Sequence, residues 1–140
     1  MTIQAVLLPV FVMVATIFVL LLLTGRRRFA VLRRGEVQLR DVALDGGGWP
    51  AGTRQAANAY SSQFELPVLF LVLVALAIPT NFADLVFVVM SWLFVLSRIW
   101  HAAVLVTTNH VPTRFRAFLV GFVILALMWA IFVVRIMVGS

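Results

Sequence analysis

The sequence predicts an all-α integral membrane protein, a bundle of four transmembrane helices with both termini extracytoplasmic. Three observations lead there. Of 140 residues, 64% are hydrophobic and only 11% are charged, more apolar side chain than a soluble domain of this size can bury, so lipid must cover it. The charges cluster, leaving four long stretches with almost none. The arginines also fall in alternate loops. A single membrane domain, residues 1–140, accounts for the whole length.

Composition also excludes chemistry. The chain has no cysteine, so disulfides, thiolate metal sites and cysteine nucleophiles are ruled out. With two histidines and five acids, a dedicated metal site is not expected. All eleven basic residues are arginine and the net charge is +6. Nucleic acid is nevertheless an unsuitable partner, because most of the arginines flank apolar runs. At such positions arginine sets membrane orientation or meets anionic lipid head groups.

The first helix is expected over about residues 5–24. Ala5 to Thr24 is twenty residues without a charge, which at 1.5 Å per residue just crosses a hydrocarbon core of about 30 Å. It lacks the basic start and small-residue cleavage site of a signal peptide. Gly25 is read as its end, with Arg26, Arg27 and Arg28 as a stop-transfer flank. Residues 25–53 form an arginine-rich loop, punctuated by Gly46-Gly47-Gly48-Trp49-Pro50. This is no phosphate loop, since no Gly-Lys-Ser/Thr follows and no strand precedes it. Trp49 is suited to an interfacial anchor.

A second helix is expected over about 54–78, capped near Thr53, polar in its first third and kinked by Pro67. After the turn Pro79-Thr80-Asn81, a third runs over about 84–108. The loop Asn109–Thr113 leads to a fourth over about 114–138. The loop between helices one and two, taken through Arg54, holds seven arginines, and the loop between helices three and four adds Arg114 and Arg116. The remaining turn and the N-terminus have none. The positive-inside rule then puts both basic loops in the cytoplasm, with Arg135 the one misfit, left to snorkel outward.

Ionisable groups inside membrane helices are costly and need a partner or a task. Glu65, Arg98 and His101 qualify. Arg98 and His101 share a helix face at i, i+3. Glu65 and Arg98 lie at compatible depth, on the same or adjacent subunits. The set reads either as a structural ion pair or as a polar pocket for an anionic ligand. Arg26-Arg27-Arg28 reads chiefly as a topology signal, the alternative being that one of them turns toward a ligand carboxylate. Ser61 and Ser62 read as helix-packing residues.

Two segments carry a resemblance. Ser62-Gln63-Phe64-Glu65-Leu66-Pro67-Val68-Leu69-Phe70 resembles the helix-two signature of the MAPEG family, membrane-associated proteins in eicosanoid and glutathione metabolism, in the form common to its bacterial members. Ser97-Arg98-Ile99-Trp100-His101 and the later Asn109-His110-Val111-Pro112-Thr113-Arg114-Phe115-Arg116 resemble the family's helix-three motif and the loop after it. The resemblance implies a homotrimer in a bacterial inner membrane, binding glutathione between subunits near the cytoplasmic face. It implies transfer of glutathione to lipophilic electrophiles or reduction of lipid peroxides. Matching positions make Glu65, Arg98 and His101 pocket residues, with Arg26 or Arg28 facing the glutathione carboxylates and Arg114 stabilising the thiolate.

The sequence also departs from the family pattern. Ser62 stands where members carry asparagine, Leu105 where some carry tyrosine, and Phe115 where some catalysts place serine. The pocket frame is kept while several hydrogen-bond donors are replaced. Two functions therefore stand side by side: a glutathione-dependent transferase or peroxidase, and a non-catalytic accessory or structural subunit of a larger membrane complex. A transporter fits least, since four short helices offer no inverted repeat of broken segments.

Overall fold

A computed structural model of the chain describes residues 2–43 and 48–139. Part of the glycine run, Gly46 and Gly47, lies outside the described residues. Helix α1 spans Ile3–Arg33, and a short 3-10 turn follows at Leu39–Asp41. Then come α2 (Ala51–Ser62), α3 (Leu66–Ala77), α4 (Leu85–Val106) and α5 (Val111–Val138). With α2 and α3 taken as one interrupted span, four segments among the described residues are long and apolar enough to cross a membrane.

Gly25 does not end the first helix. Open space surrounds it, and an internal glycine costs only about 1 kcal/mol against alanine. The helix continues because its next two turns find partners. Val31 is buried, and Arg27 donates to the Gly52 carbonyl at 2.7 Å and the Val106 carbonyl at 3.3 Å. Termination falls at Gly35, whose φ of +74° suits glycine. There Gly35 N–H bonds the Leu32 carbonyl and Glu36 N–H bonds the Val31 carbonyl, the paired closure that satisfies the last carbonyls.

The second span is broken rather than kinked. Pro67 has no N–H for the carbonyl four residues back, and its ring crowds that turn. The chain tightens instead, with Gln63, Phe64 and Glu65 N–H groups each bonding the carbonyl three residues earlier. A new helix starts with Pro67 in its first turn. At the other end of the span, Pro50 rather than Thr53 takes the capping position. Similarly, α5 begins at Val111, three residues before the expected start, because Pro112 is well placed in a first turn.

Helix α4 is the central element, packing against α1, α2 and α5. Half of its membrane window is buried inside the bundle, against 22% for α1 and α5, whose remaining apolar surface faces lipid. The core joins Met13, Phe70, Leu73, Phe94, Val95 and Leu125, with Phe70 and Phe94 stacked at 4.9 Å between centroids. Gly121 lets α5 approach α4 closely: a Cβ there would lie 2.9 Å from Ser97 Oγ and 3.6 Å from Arg98 Cδ. Small residues at such crossings are what membrane helix packing uses. Buried hydroxyls turn inward on their own helices, as Thr24 does to the Leu20 carbonyl and Ser91 to that of Phe87.

Arg135 has a partner rather than an unpaired route outward. It meets Asp84 at 2.5 Å, donates to the Phe82 carbonyl at 3.4 Å and lies over the Phe82 ring. Asp84 in turn caps α4 by accepting from the Phe87 N–H at 3.0 Å. The Arg135 hydrogen bond, together with that cap, holds the Asp84 carboxyl below its ordinary range.

Candidate functional site

Arg98 is fully buried at 0% exposure. It rises from the middle of α4 where Gly121 leaves room for its stem. Its Nη2 donates to Ser62 Oγ at 2.5 Å and to the Ser62 carbonyl at 3.2 Å. The Pro67 break explains this second acceptor. In an unbroken helix the Ser62 carbonyl would take the Leu66 N–H; here it receives a poorer bond from Glu65 and retains capacity for Arg98. Among the described residues, Arg98 Nε and Nη1 have no hydrogen-bond partner, and neither does His101 Nδ1.

The expected contact between Glu65 and Arg98 is not made within the chain. The two ion pairs among the described residues are Arg34–Glu36 and Arg135–Asp84. The break places Glu65 at the capping position of α3 with its side chain exposed. Ser62, one turn earlier, takes its place beside the arginine. Ser62, expected only to pack and to lack the family's donor, uses its hydroxyl as an acceptor for Arg98. The available signal was position: Ser62 and Gln63 are the polar residues just before a proline in a membrane span. Gln63 is also fully buried, bonding the Ala59 carbonyl at 3.0 Å while its Oε1 has no partner.

One turn from Arg98, His101 is buried with its ring 6.1 Å from that of Phe118. His101, Arg114, Val111, Phe115 and Phe118 line a cavity of about 240 Å³. Arg114 is half-buried there, and its Nη1 donates to Asn109 Oδ1 at 3.1 Å. Asn109 has a φ of 50°, which asparagine tolerates better than most residues, and the tight turn it makes brings α5 back beside α4. Phe115 supplies a ring and no hydroxyl. Leu105 lies in the core with Leu20, Ala59 and Ala102, so no tyrosine-like donor reaches the cavity from that position.

The first-loop arginines stand apart from this cavity in a single chain. Arg28 lies over the Trp49 ring at 5.2 Å. Trp49 is buried at 8% exposure, tucked beneath an arginine instead of standing free as an interfacial anchor. Arg26 lines a different cleft, between α1 and the start of α2. The structure thus brings His101 and Arg114 to one cavity with Arg98 a turn away, while Glu65 is exposed without an ion pair to Arg98 and Arg26 and Arg28 lie on other surfaces.

Four spanning segments, a proline-broken second span and a cationic cavity at the arginine-rich end define a multi-pass helical membrane protein. A sequence model described as the MAPEG family matches residues 6–134, nearly the whole chain. The chain belongs to the MAPEG family. No curated protein and no solved structure matches it.

Proposed function

We propose that the protein binds glutathione at the cavity lined by His101 and Arg114, in a homotrimer whose neighbouring subunit completes the site. It then transfers glutathione to lipophilic electrophiles or uses it to reduce lipid peroxides. One observation carries the reading. His101 and Arg114 line one cavity, and one turn deeper Arg98, like His101, carries buried nitrogens with no partner among the described residues, in a family associated with glutathione. Unpartnered buried cationic donors are expensive in a membrane bundle unless an anionic group comes near them.

The residues fit a small peptide bearing two carboxylates and a thiol. Glutathione, when bound, supplies the sulfur nucleophile. Arg114 is the cation available at the cavity to hold that sulfur as a thiolate, and Asn109 orients its guanidinium. Arg98 is enclosed, so it acts by charge from one turn deeper and fixes α4 to the end of α2 through Ser62. A cavity of about 240 Å³ falls below the 300–1,000 Å³ usual for ligand sites, which favours completion by a neighbour. That neighbour would contribute Arg26 or Arg28 toward the carboxylates, and exposed Glu65 to the subunit contact. The arginine-rich end is assigned to the cytoplasm of a bacterial inner membrane.

A second reading rests on what the cavity lacks. With Leu105 in the core and Phe115 at the rim, none of the described residues lining the cavity carries a hydroxyl to orient a thiolate beside Arg114. Losing one aimed donor costs roughly 10²- to 10³-fold in rate. That favours a non-catalytic accessory subunit of a larger membrane complex. Titrating glutathione into the purified protein, followed by calorimetry, separates the two. We expect saturable binding, its loss in Arg114→Ala, and slow conjugation of chlorodinitrobenzene. No binding at millimolar glutathione would transfer the assignment to the accessory subunit, and robust conjugation would show the missing donors to be dispensable.

A further inference from the structure

One face of α1 runs without interruption through two clefts. In the membrane-spanning part, Val12, Ala15, Thr16, Val19, Leu20 and Leu23 recur at helical spacing and line an apolar groove of about 380 Å³. Small residues of α4, Ala102 and Ala103, form its other wall, with Val106 at the end. The same face continues as Leu23, Arg26, Arg27, Ala30, Val31 and Arg34, which line a second cleft of about 410 Å³ against the start of α2. Leu23 belongs to both. Arg27 sits at the junction, bonded to the Val106 and Gly52 carbonyls, and joins the walls of the two clefts.

The dimensions match one leaflet. From Val12 to Leu23 is eleven residues, about 16 Å at the helical rise, while half of a hydrocarbon core is about 15 Å. The groove therefore ends where the head groups begin, and there the lining changes from apolar to arginine. Three arginines line the upper cleft against one carboxylate, Glu36, which pairs with Arg34 at 3.3 Å. Arg26 and Arg34 are both exposed, and their planar guanidinium groups suit phosphate oxygens.

We propose that this continuous face is a binding site for one anionic phospholipid, its phosphate held between Arg26 and Arg34 and one acyl chain lying along the groove between α1 and α4. Charge complementarity selects this occupant. A zwitterionic lipid would leave the cationic cleft uncompensated. The assignment gives Arg26 to the lipid, leaves Arg28 as the first-loop arginine for glutathione, and stands whether or not glutathione binds.

Native mass spectrometry of the full-length protein in mild detergent tests this, with added phosphatidylglycerol, phosphatidylcholine or free glycerol phosphate. We expect one phosphatidylglycerol retained per chain, phosphatidylcholine held at least about tenfold more weakly, and no retention of the head group alone. Arg34→Gln should weaken phosphatidylglycerol about fivefold, the weight of one basic residue at a membrane surface. Val19→Trp, at an exposed position in the groove, should weaken it by obstructing the chain while leaving helicity unchanged. Equal retention of the two lipids, or phosphatidylglycerol binding that survives both substitutions, would overturn the site. Head-group binding without chains would reduce it to a phosphate site. A disulfide dimer formed through Ala103→Cys would mean that a second copy fills the groove.

Discussion

Arg98 shows how magnitudes decide between two opposite expectations. It has no accessible surface, its acceptors are both on Ser62, and two of its nitrogens have no partner. Hydrogen bonds to a charged group contribute about 1.5–3 kcal/mol each. Burying the ion costs several kcal/mol, and replacing buried charges by apolar residues of like volume is often neutral or stabilising by about 1–4 kcal/mol. The cost wins. Arg98→Met should therefore leave the thermal midpoint unchanged or raise it. Ser62→Ala keeps the buried charge and takes away an acceptor, so it should destabilise by about 1–3 kcal/mol. Thermal denaturation of both variants in one detergent checks this: a large loss with Arg98→Met and none with Ser62→Ala would refute the argument.

Among the helices, the ends decide more than the spans. Arg135 and Asp84 tie the last turn of α5 to the start of α4, and the Phe82 ring lies under the guanidinium. Both side chains are 40% exposed, so water screens the pair and its contribution is about 1 kcal/mol or less. Asn caps helices about as well as Asp, so Asp84→Asn keeps the cap and isolates the pairing. Because folding lowers the Asp84 carboxyl below its ordinary value of 3.8, the stabilisation is present above that value and fades as pH falls through the lowered one. Wild type should thus exceed Asp84→Asn in thermal midpoint by a small, constant margin between about pH 5 and 8. The margin should close in strong acid. A margin that widened toward low pH would contradict the pairing.

At the scale of the whole molecule, charge asymmetry organises the chain. One end carries the arginines of residues 26–54 together with Arg114 and Arg116, while the other end holds Arg135 paired with Asp84. Topology follows if that arginine-rich end faces the cytoplasm. In sealed cells, a membrane-impermeant thiol reagent should label Thr2→Cys and Gly139→Cys but not Gly35→Cys. Labelling of Gly35→Cys alone would invert the molecule. The bundle also leaves Phe11, Phe18, Leu22 and Met137 exposed, apolar surface of the kind that faces lipid.

The number and place of the membrane spans were legible in the residues themselves, because solvation by lipid acts on each stretch independently of the rest of the chain. So was the importance of Pro67, a local steric effect, although whether it kinks or breaks the span depends on what the freed carbonyl can find. Arg98, His101 and Arg114 were legible as candidates for the same reason: a charge in an apolar run stands out. Their partners were not. Arg98 turns to Ser62, thirty-six residues away, and Arg135 to Asp84, fifty-one away. Nothing in local spacing says which of two polar groups near a helix break will face inward. The extension of α1 past Gly25 had the same origin, since Arg27 and Val31 hold it only once α2 and α4 are beside them. Sequence alone determined what must lie in the membrane and which charges stand within it, because transfer free energies are properties of single segments. Tertiary structure decided which acceptor each charge meets and where each helix ends, because those depend on groups that come together only when the helices pack.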